Sequence, residues 1–70
     1  MMVHDVLEFG AVIRKERKQQ HLTQTELADL SGTSLSFISG LENGKCSAEI
    51  GKAFRVMQTL GIDMLCRKRV

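Results

Sequence analysis

Between Thr23 and Gly44 the chain is punctuated closely enough to leave room for two short helices and one tight turn. Thr23 followed three residues later by Glu26 is the capping-box pattern, in which each residue satisfies a free backbone N–H at a helix start. It opens a helix over Gln24 to Ser31, with Leu27, Ala28 and Leu30 as its apolar face. Gly32 then stands where a left-handed C-terminal cap belongs, because glycine has no Cβ to clash there. Thr33 or Ser34 caps a second helix, about Ser34 to Glu42, with Ile38 and Leu41 inward, and Asn43-Gly44 ends it as a turn.

The flanks extend this pattern to four helices. Asp5 caps a first helix from about Val6 to Gln20, with Glu8 three residues on, and Val6, Phe9, Ile13 and Arg17 recur at helical spacing. His21-Leu22 makes the short connection. Ser47 caps a fourth helix, about Ala48 to Leu60, whose stripe is Ile50, Ala53, Phe54, Met57 and Leu60, and Gly61 stops it. The chain has no proline, so glycines and capping side chains carry all the punctuation. The expectation is an all-α, compact four-helix domain over residues 1–70. The stretch from Ile62 to Arg67 is β-compatible, but a lone strand needs a partner and no second strand is visible in the chain.

Composition narrows the class. An apolar fraction of 43% with 26% charged residues is that of a globular chain, which argues against disorder. A domain of 70 residues buries only about 60% of its unfolded surface, and such scaffolds usually add disulfides, a metal or a second copy of themselves. Cys46 and Cys66 show no metal-ligand spacing and no CxxC pair, so reduced thiols in a reducing cytoplasm are expected. His4 and His21 stand alone, and no metal or cofactor is expected. The N-terminus lacks a signal peptide's basic start and apolar run, and no stretch approaches the ~18 apolar residues of a membrane helix. No Ser-His-Asp grouping or paired carboxylates point to an enzyme. Three Phe without Trp or Tyr give no stacking platform for single strands. The net charge of +2 is mild, but Arg14, Lys15, Arg17 and Lys18 cluster in the first helix and Arg67, Lys68 and Arg69 near the end.

Two helices joined by a short turn containing glycine are the signature of the DNA-binding helix-turn-helix. The fuller pattern is Thr23-Gln24-x-x-Leu27-Ala28, Gly32, then Ile38-Ser39-x-Leu41-Glu42-Asn43-Gly44, with Arg14 and Arg17 upstream. Over about Phe9 to Leu60 it resembles the Cro/C1-type (XRE) family of phage and bacterial repressors. The motif would run over about residues 23–42.

The resemblance implies a bacterial, cytoplasmic protein that binds double-stranded DNA, with the second motif helix in the major groove, where each base pair displays a distinct code. It places Gln24 at a helix start where its side chain and free N–H groups grip a phosphate, against the plainer reading of an exposed helix-start residue. It assigns base reading to the positions of Ser34, Leu35, Ser36 and Gly40, and the same helix would present Ser39 and Phe37. Phe37 is equally readable as a partly buried support. Serine discriminates poorly among bases, and no Gln, Asn, Arg or Lys lies on that face, so DNA shape would carry part of the specificity. The loop Asn43, Gly44, Lys45 and Ser47 would hold a second phosphate through N–H groups and Lys45, which is otherwise a solvated loop lysine. Arg17 and Glu42 fall on inward faces, and the matching positions in phage repressors form an internal ion pair. Arg14, Lys15 and Lys18 read as a solvated face that adds long-range attraction.

The tail Leu60-Gly61-Ile62-Asp63-Met64-Leu65-Cys66 is similar to that of HipB-like antitoxins. That likeness implies a short strand over about residues 62–67 that pairs with its twofold mate, with Ile62, Met64, Leu65 and Cys66 at the dimer contact. It also implies a palindromic operator in the protein's own promoter, a HipA-like Ser/Thr kinase toxin as partner, and no membrane partner. Two alternatives stand beside the autoregulating antitoxin: a stand-alone phage-type or chromosomal regulator, and an adaptor that keeps the fold but has lost DNA readout.

Overall fold

The computed structural model describes residues 2–69; residues 1 and 70, the ends of the expected domain, lie outside them. Four helices follow in order: α1 (Val6–Gln19), α2 (Gln24–Ser31), α3 (Leu35–Glu42) and α4 (Ile50–Leu60). The architecture is all-α. α1 packs on α3 and α4, and α2 packs on α3 and α4.

The helix ends follow from their caps. Asp5 accepts the Glu8 N–H at 2.8 Å, and the Glu8 carboxylate reaches back to the His4 N–H at 2.9 Å, one residue before the cap. Both arms of the Thr23–Glu26 capping box are present. Gly32 adopts φ +68°, and the Thr33 N–H then bonds the Ala28 carbonyl at 2.9 Å. Ser34 is the cap of α3 and accepts the Phe37 N–H at 3.0 Å, so it lies outside the helix proper. α4 begins two residues later than the sequence predicts. Its cap is Glu49, without a side-chain bond, and Ser47 sits exposed in the preceding loop. The Ala48 N–H bonds the Lys45 carbonyl at 3.2 Å, which turns the chain through 45–48 and carries it past Ser47 before helix can start.

The core combines Ile13 of α1, Leu27 and Ala28 of α2, Ile38 and Leu41 of α3, and Ala53, Val56, Met57 and Leu60 of α4. α4 therefore buries positions 53, 56, 57 and 60, a stripe rotated from the expected one. Fully buried Val56 is inside, whereas Ile50 is 66% exposed and Phe54 lies at the surface. Leu30 on α2 and Val6 on α1 are also exposed, contrary to expectation. The cause is shared: each helix packs closely on two neighbours, and apolar residues at the edge of the stripe face away from both.

Gly10 sets the approach of α1 to α3. A Cβ there would collide with the Leu41 carbonyl oxygen and lie 2.8 Å from that of Glu42. Past α4, the Ile62 N–H bonds the Met57 carbonyl at 2.8 Å and Ile62 packs on the core. Residues 62–69 then run without regular structure, with Met64 and Leu65 exposed. Among the described residues no strand forms over 62–67, because the single chain offers the tail no ladder partner.

Candidate nucleic-acid interface

The start of α2 is fixed from beneath by a buried polar junction. Arg17 donates from Nε to Glu42 Oε2 at 2.6 Å and from Nη2 to Oε1 at 3.0 Å. Its Nη1 donates to the Leu22 carbonyl at 2.8 Å, tying the α1–α2 connection to the same point. Gln24 adds a fourth bond, from Nε2 to Glu42 Oε1 at 3.1 Å. The two charged residues are buried, and no buried side-chain N or O among the described residues lacks a partner. Hydrogen bonding to Glu42 holds the Arg17 guanidinium above its ordinary pKa, against the opposing effect of burial. Glu26 at the surface is held below the usual carboxylate range by the Thr23 backbone N–H and then by the Thr23 side chain.

Above this junction lies an open cleft. Arg14, Thr23, Gln24 and Thr25 line one side, and Leu35, Glu42 and Asn43 the other. The first turn of α2 lines it with Gln24 and Thr25, whose N–H groups have no partner within the helix, which suits an anion. Next to the cleft, α3 buries Ile38, Leu41 and Glu42. The opposite face of the helix, by its 3.6-residue period, is Ser36, Ser39 and Gly40, flanked by half-exposed Leu35. Phe37 turns the other way, against the core, with the Lys52 ammonium 5.9 Å from its ring centroid. Asn43 closes α3 by donating from Nδ2 to the Ser39 carbonyl at 2.8 Å, and Gly44 follows at φ +79° with the Leu7 backbone pressed against it. The exposed Lys45 bonds back through its N–H to the Gly40 carbonyl at 3.0 Å.

A family model described as helix-turn-helix matches residues 13–65, about three quarters of the chain. The chain belongs to the helix-turn-helix family, of the Cro/C1 (XRE) type. An uncharacterised HTH-type transcriptional regulator, y4mF, of Sinorhizobium fredii is 52% identical over 60 residues, covering 83% of this chain and 79% of that protein. Among solved structures, a chain of the HipA-HipB-O2-O3 complex is similar with a TM-score of 0.87 at 26% identity, covering 99% of each chain. The restriction-modification controller protein C.AhdI from Aeromonas hydrophila is similar with a TM-score of 0.75 at 30% identity, covering 84% of this chain and 86% of that one. This helix-turn-helix protein is thus a DNA-binding transcriptional regulator, a class that is not enzymatic. No helix among its described residues is long and apolar enough to cross a membrane.

In this helix-turn-helix protein the structure gathers Gln24, Leu35, Asn43 and the Arg17–Glu42 pair around one cleft, and Ser36, Ser39 and Gly40 on the adjacent helix face. Ser34 lends its hydroxyl to the α3 cap, and Ser47 lies exposed in the loop beyond Lys45. Phe37 stands apart from that face. Sequence reasoning missed Arg14 and Thr25 as cleft residues. Arg14 falls one helical turn before Arg17; once Arg17 is placed inward and next to α2, that spacing puts Arg14 at the rim of the same cleft. Cys46 and Cys66 are both exposed free thiols.

Proposed function

We propose that the chain is an autoregulating repressor that binds a palindromic double-stranded operator in its own promoter as a homodimer, and that it is the antitoxin of a HipA-like Ser/Thr kinase. The observation that carries the reading is the exposed polar face of α3 beside a cleft where Gln24, Arg14 and the α2 N-terminus converge. α3 enters the major groove with Ser36 and Ser39 toward base edges, and Leu35 suits a thymine methyl. The cleft takes one phosphate. The loop of Asn43, Gly44 and Lys45 lies against the next, with the exposed Ser47 hydroxyl as donor, since the N–H groups of residues 43–45 already bond the Ser39, Gly40 and Leu41 carbonyls. Gln24 is well placed for the first because Glu42 has already fixed its rotamer, so little side-chain entropy remains to be lost on binding.

The dimer contact is the tail, with Ile62, Met64, Leu65 and Cys66 forming a strand against its twofold copy. Exposed apolar side chains at Met64 and Leu65 support it, since a small monomer gains little by presenting them to water. Two α3 helices would then enter successive major grooves about 34 Å apart on one face of the duplex. The kinase partner is supported by end-to-end likeness, tail included, to a chain of the HipA-HipB-O2-O3 complex. A stand-alone regulator is the second reading, favoured by the likeness to the controller C.AhdI.

Selection of bound duplexes from a random library at two salt concentrations tests the DNA reading. An inverted repeat is expected, with affinity falling ~10³–10⁵-fold between 50 and 200 mM salt if the dimer engages about 6–10 phosphates. Sequence-blind or salt-insensitive association would instead mark an adaptor. Affinity capture from the native host separates the other two readings: a co-purifying kinase supports the antitoxin, and recovery of DNA and the protein alone supports the stand-alone regulator.

A further inference from the structure

The outward face of α3 has a gap at Gly40, and the side chain of Lys45 fills it. A Cβ placed on Gly40 would lie 3.2 Å from Lys45 Cδ and 3.6 Å from Lys45 Cβ. The stem of Lys45 therefore runs across the position where any other residue at 40 would project. The backbone fixes this arrangement: the Lys45 N–H bonds the Gly40 carbonyl at 3.0 Å, and Gly44 at φ +79° turns the chain back onto the helix. Resting on the DNA-binding reading above, we propose that Lys45 supplies the base-reading side chain that α3 lacks at Gly40, and that its ammonium selects a guanine in each half-site.

The chemistry favours a base edge over a phosphate for this head group. Ser36 and Ser39 give that face only hydroxyls, and Lys45 forms no ion pair among the described residues, so its charge is free. Cδ already lies over the helix face, and the ammonium two bonds beyond it is carried with that face into the groove. An ammonium has three donors and no acceptor. In the major groove guanine alone offers two neighbouring acceptors, O6 and N7, without an adjacent donor; adenine adds its N6 amino group and cytosine presents one. The phosphate contact of the loop is then left to the exposed Ser47, which does not depend on the side chain at 45; the N–H groups of residues 43–45 already bond carbonyls of α3. A serine-rich recognition helix thereby acquires the strong reader that its own sequence withholds.

The test is duplex selection with the full chain as wild type, Lys45→Met and Gly40→Ala. Lys45→Met keeps most of the aliphatic stem and removes the charge. Gly40→Ala adds a methyl that displaces the stem while leaving the lysine in place. Wild type should enrich a guanine at one symmetric position, and Lys45→Met should lower preference for it by about tenfold to a hundredfold with the rest of the motif intact. Gly40→Ala should weaken preference at that same position. Circular dichroism melting confirms that each variant folds, as expected for exposed Lys45. If Lys45→Met weakens all sequences equally, lowers the salt slope by about one and leaves the motif unchanged, Lys45 is a phosphate contact and the proposal fails alone. If wild type enriches no motif, the DNA-reading assignment and this proposal fall together.

Discussion

The Arg17–Glu42 junction and the outer face of α4 are built on opposite terms. At the junction every buried donor and acceptor finds its partner inside the chain, and two full charges are neutralised by three hydrogen bonds from Arg17 and one from Gln24. Elsewhere, Ile50 and Phe54 of α4, Leu30 of α2, and Met64 and Leu65 of the tail expose apolar surface that no described residue covers. The polar junction is finished within the monomer, and these apolar surfaces are not. Polar groups removed from water are costly unless paired, so a buried polar site has to be complete within the fold that creates it. Apolar surface carries no such strict requirement and can wait for a second chain.

The largest expected effect breaks the finished junction. Glu42→Ala leaves the Arg17 guanidinium buried with only the Leu22 carbonyl, and should cost about 3–5 kcal/mol. A small domain has only about 5–15 kcal/mol of stability in total, so much of the chain would unfold, as urea titration would read. The double change Arg17→Met/Glu42→Leu removes both charges and should restore most of that loss. If the double variant is as unstable as the single one, packing at the junction matters more than pairing.

The next change acts on the unfinished apolar surface and should leave folding alone. Leu65→Asp puts a charge on a residue that is 85% exposed in the single chain, so the melting curve of a dilute monomer should not move. The dimer should dissociate. Losing the linkage of two reading heads lowers operator affinity by a factor on the order of 10² or more. Sedimentation equilibrium and a binding titration read the two effects separately. A variant that remains dimeric would move the interface from the tail to the Ile50–Phe54 face.

Gly10→Ala sharpens the comparison from within α1. Alanine is a better helix former, so propensity alone favours the change by about 1 kcal/mol. The added Cβ would strike the Leu41 backbone oxygen, which cannot rotate away as a side chain would. Overpacking of this kind costs typically about 1–3 kcal/mol, and a net loss is expected in thermal melting. The same contact shows where sequence reading stops. Caps, turns and the helix-turn-helix were legible because Thr23, Glu26, Gly32, Ser34 and Asn43-Gly44 act on their own neighbours. The inward placement of Arg17 and Glu42 was legible from helical spacing and family resemblance. What the sequence hid depends on how helices meet: the rotation of α4 that buries Val56 and exposes Phe54, the role of Gly10, the start of α4 at Glu49 instead of Ser47, and the carriage of Lys45 across Gly40. No local pattern encodes these, because each is decided by the element on the far side of the contact.

The smallest effect lies at the surface, at the cap of α2. Thr23→Ala removes the oxygen that accepts the Glu26 N–H at 3.0 Å, and should cost about 1 kcal/mol. The Glu26 carboxylate, which accepts the Thr23 N–H at 2.9 Å, has its pKa lowered on folding. A group with a depressed folded pKa contributes stability above its unfolded pKa and loses it as pH falls through the folded value. Wild type should therefore lose this part of its stability on acidification below the ordinary carboxylate range, and Glu26→Gln should show a flatter stability profile there. Because α2 begins under the cleft, the same variants report on function: a frayed first turn loosens the N–H groups offered to phosphate. Thr23→Ala should then weaken binding to all duplexes alike while the selected motif stays the same. A changed motif would mean that the start of α2 reads bases as well as holding the backbone.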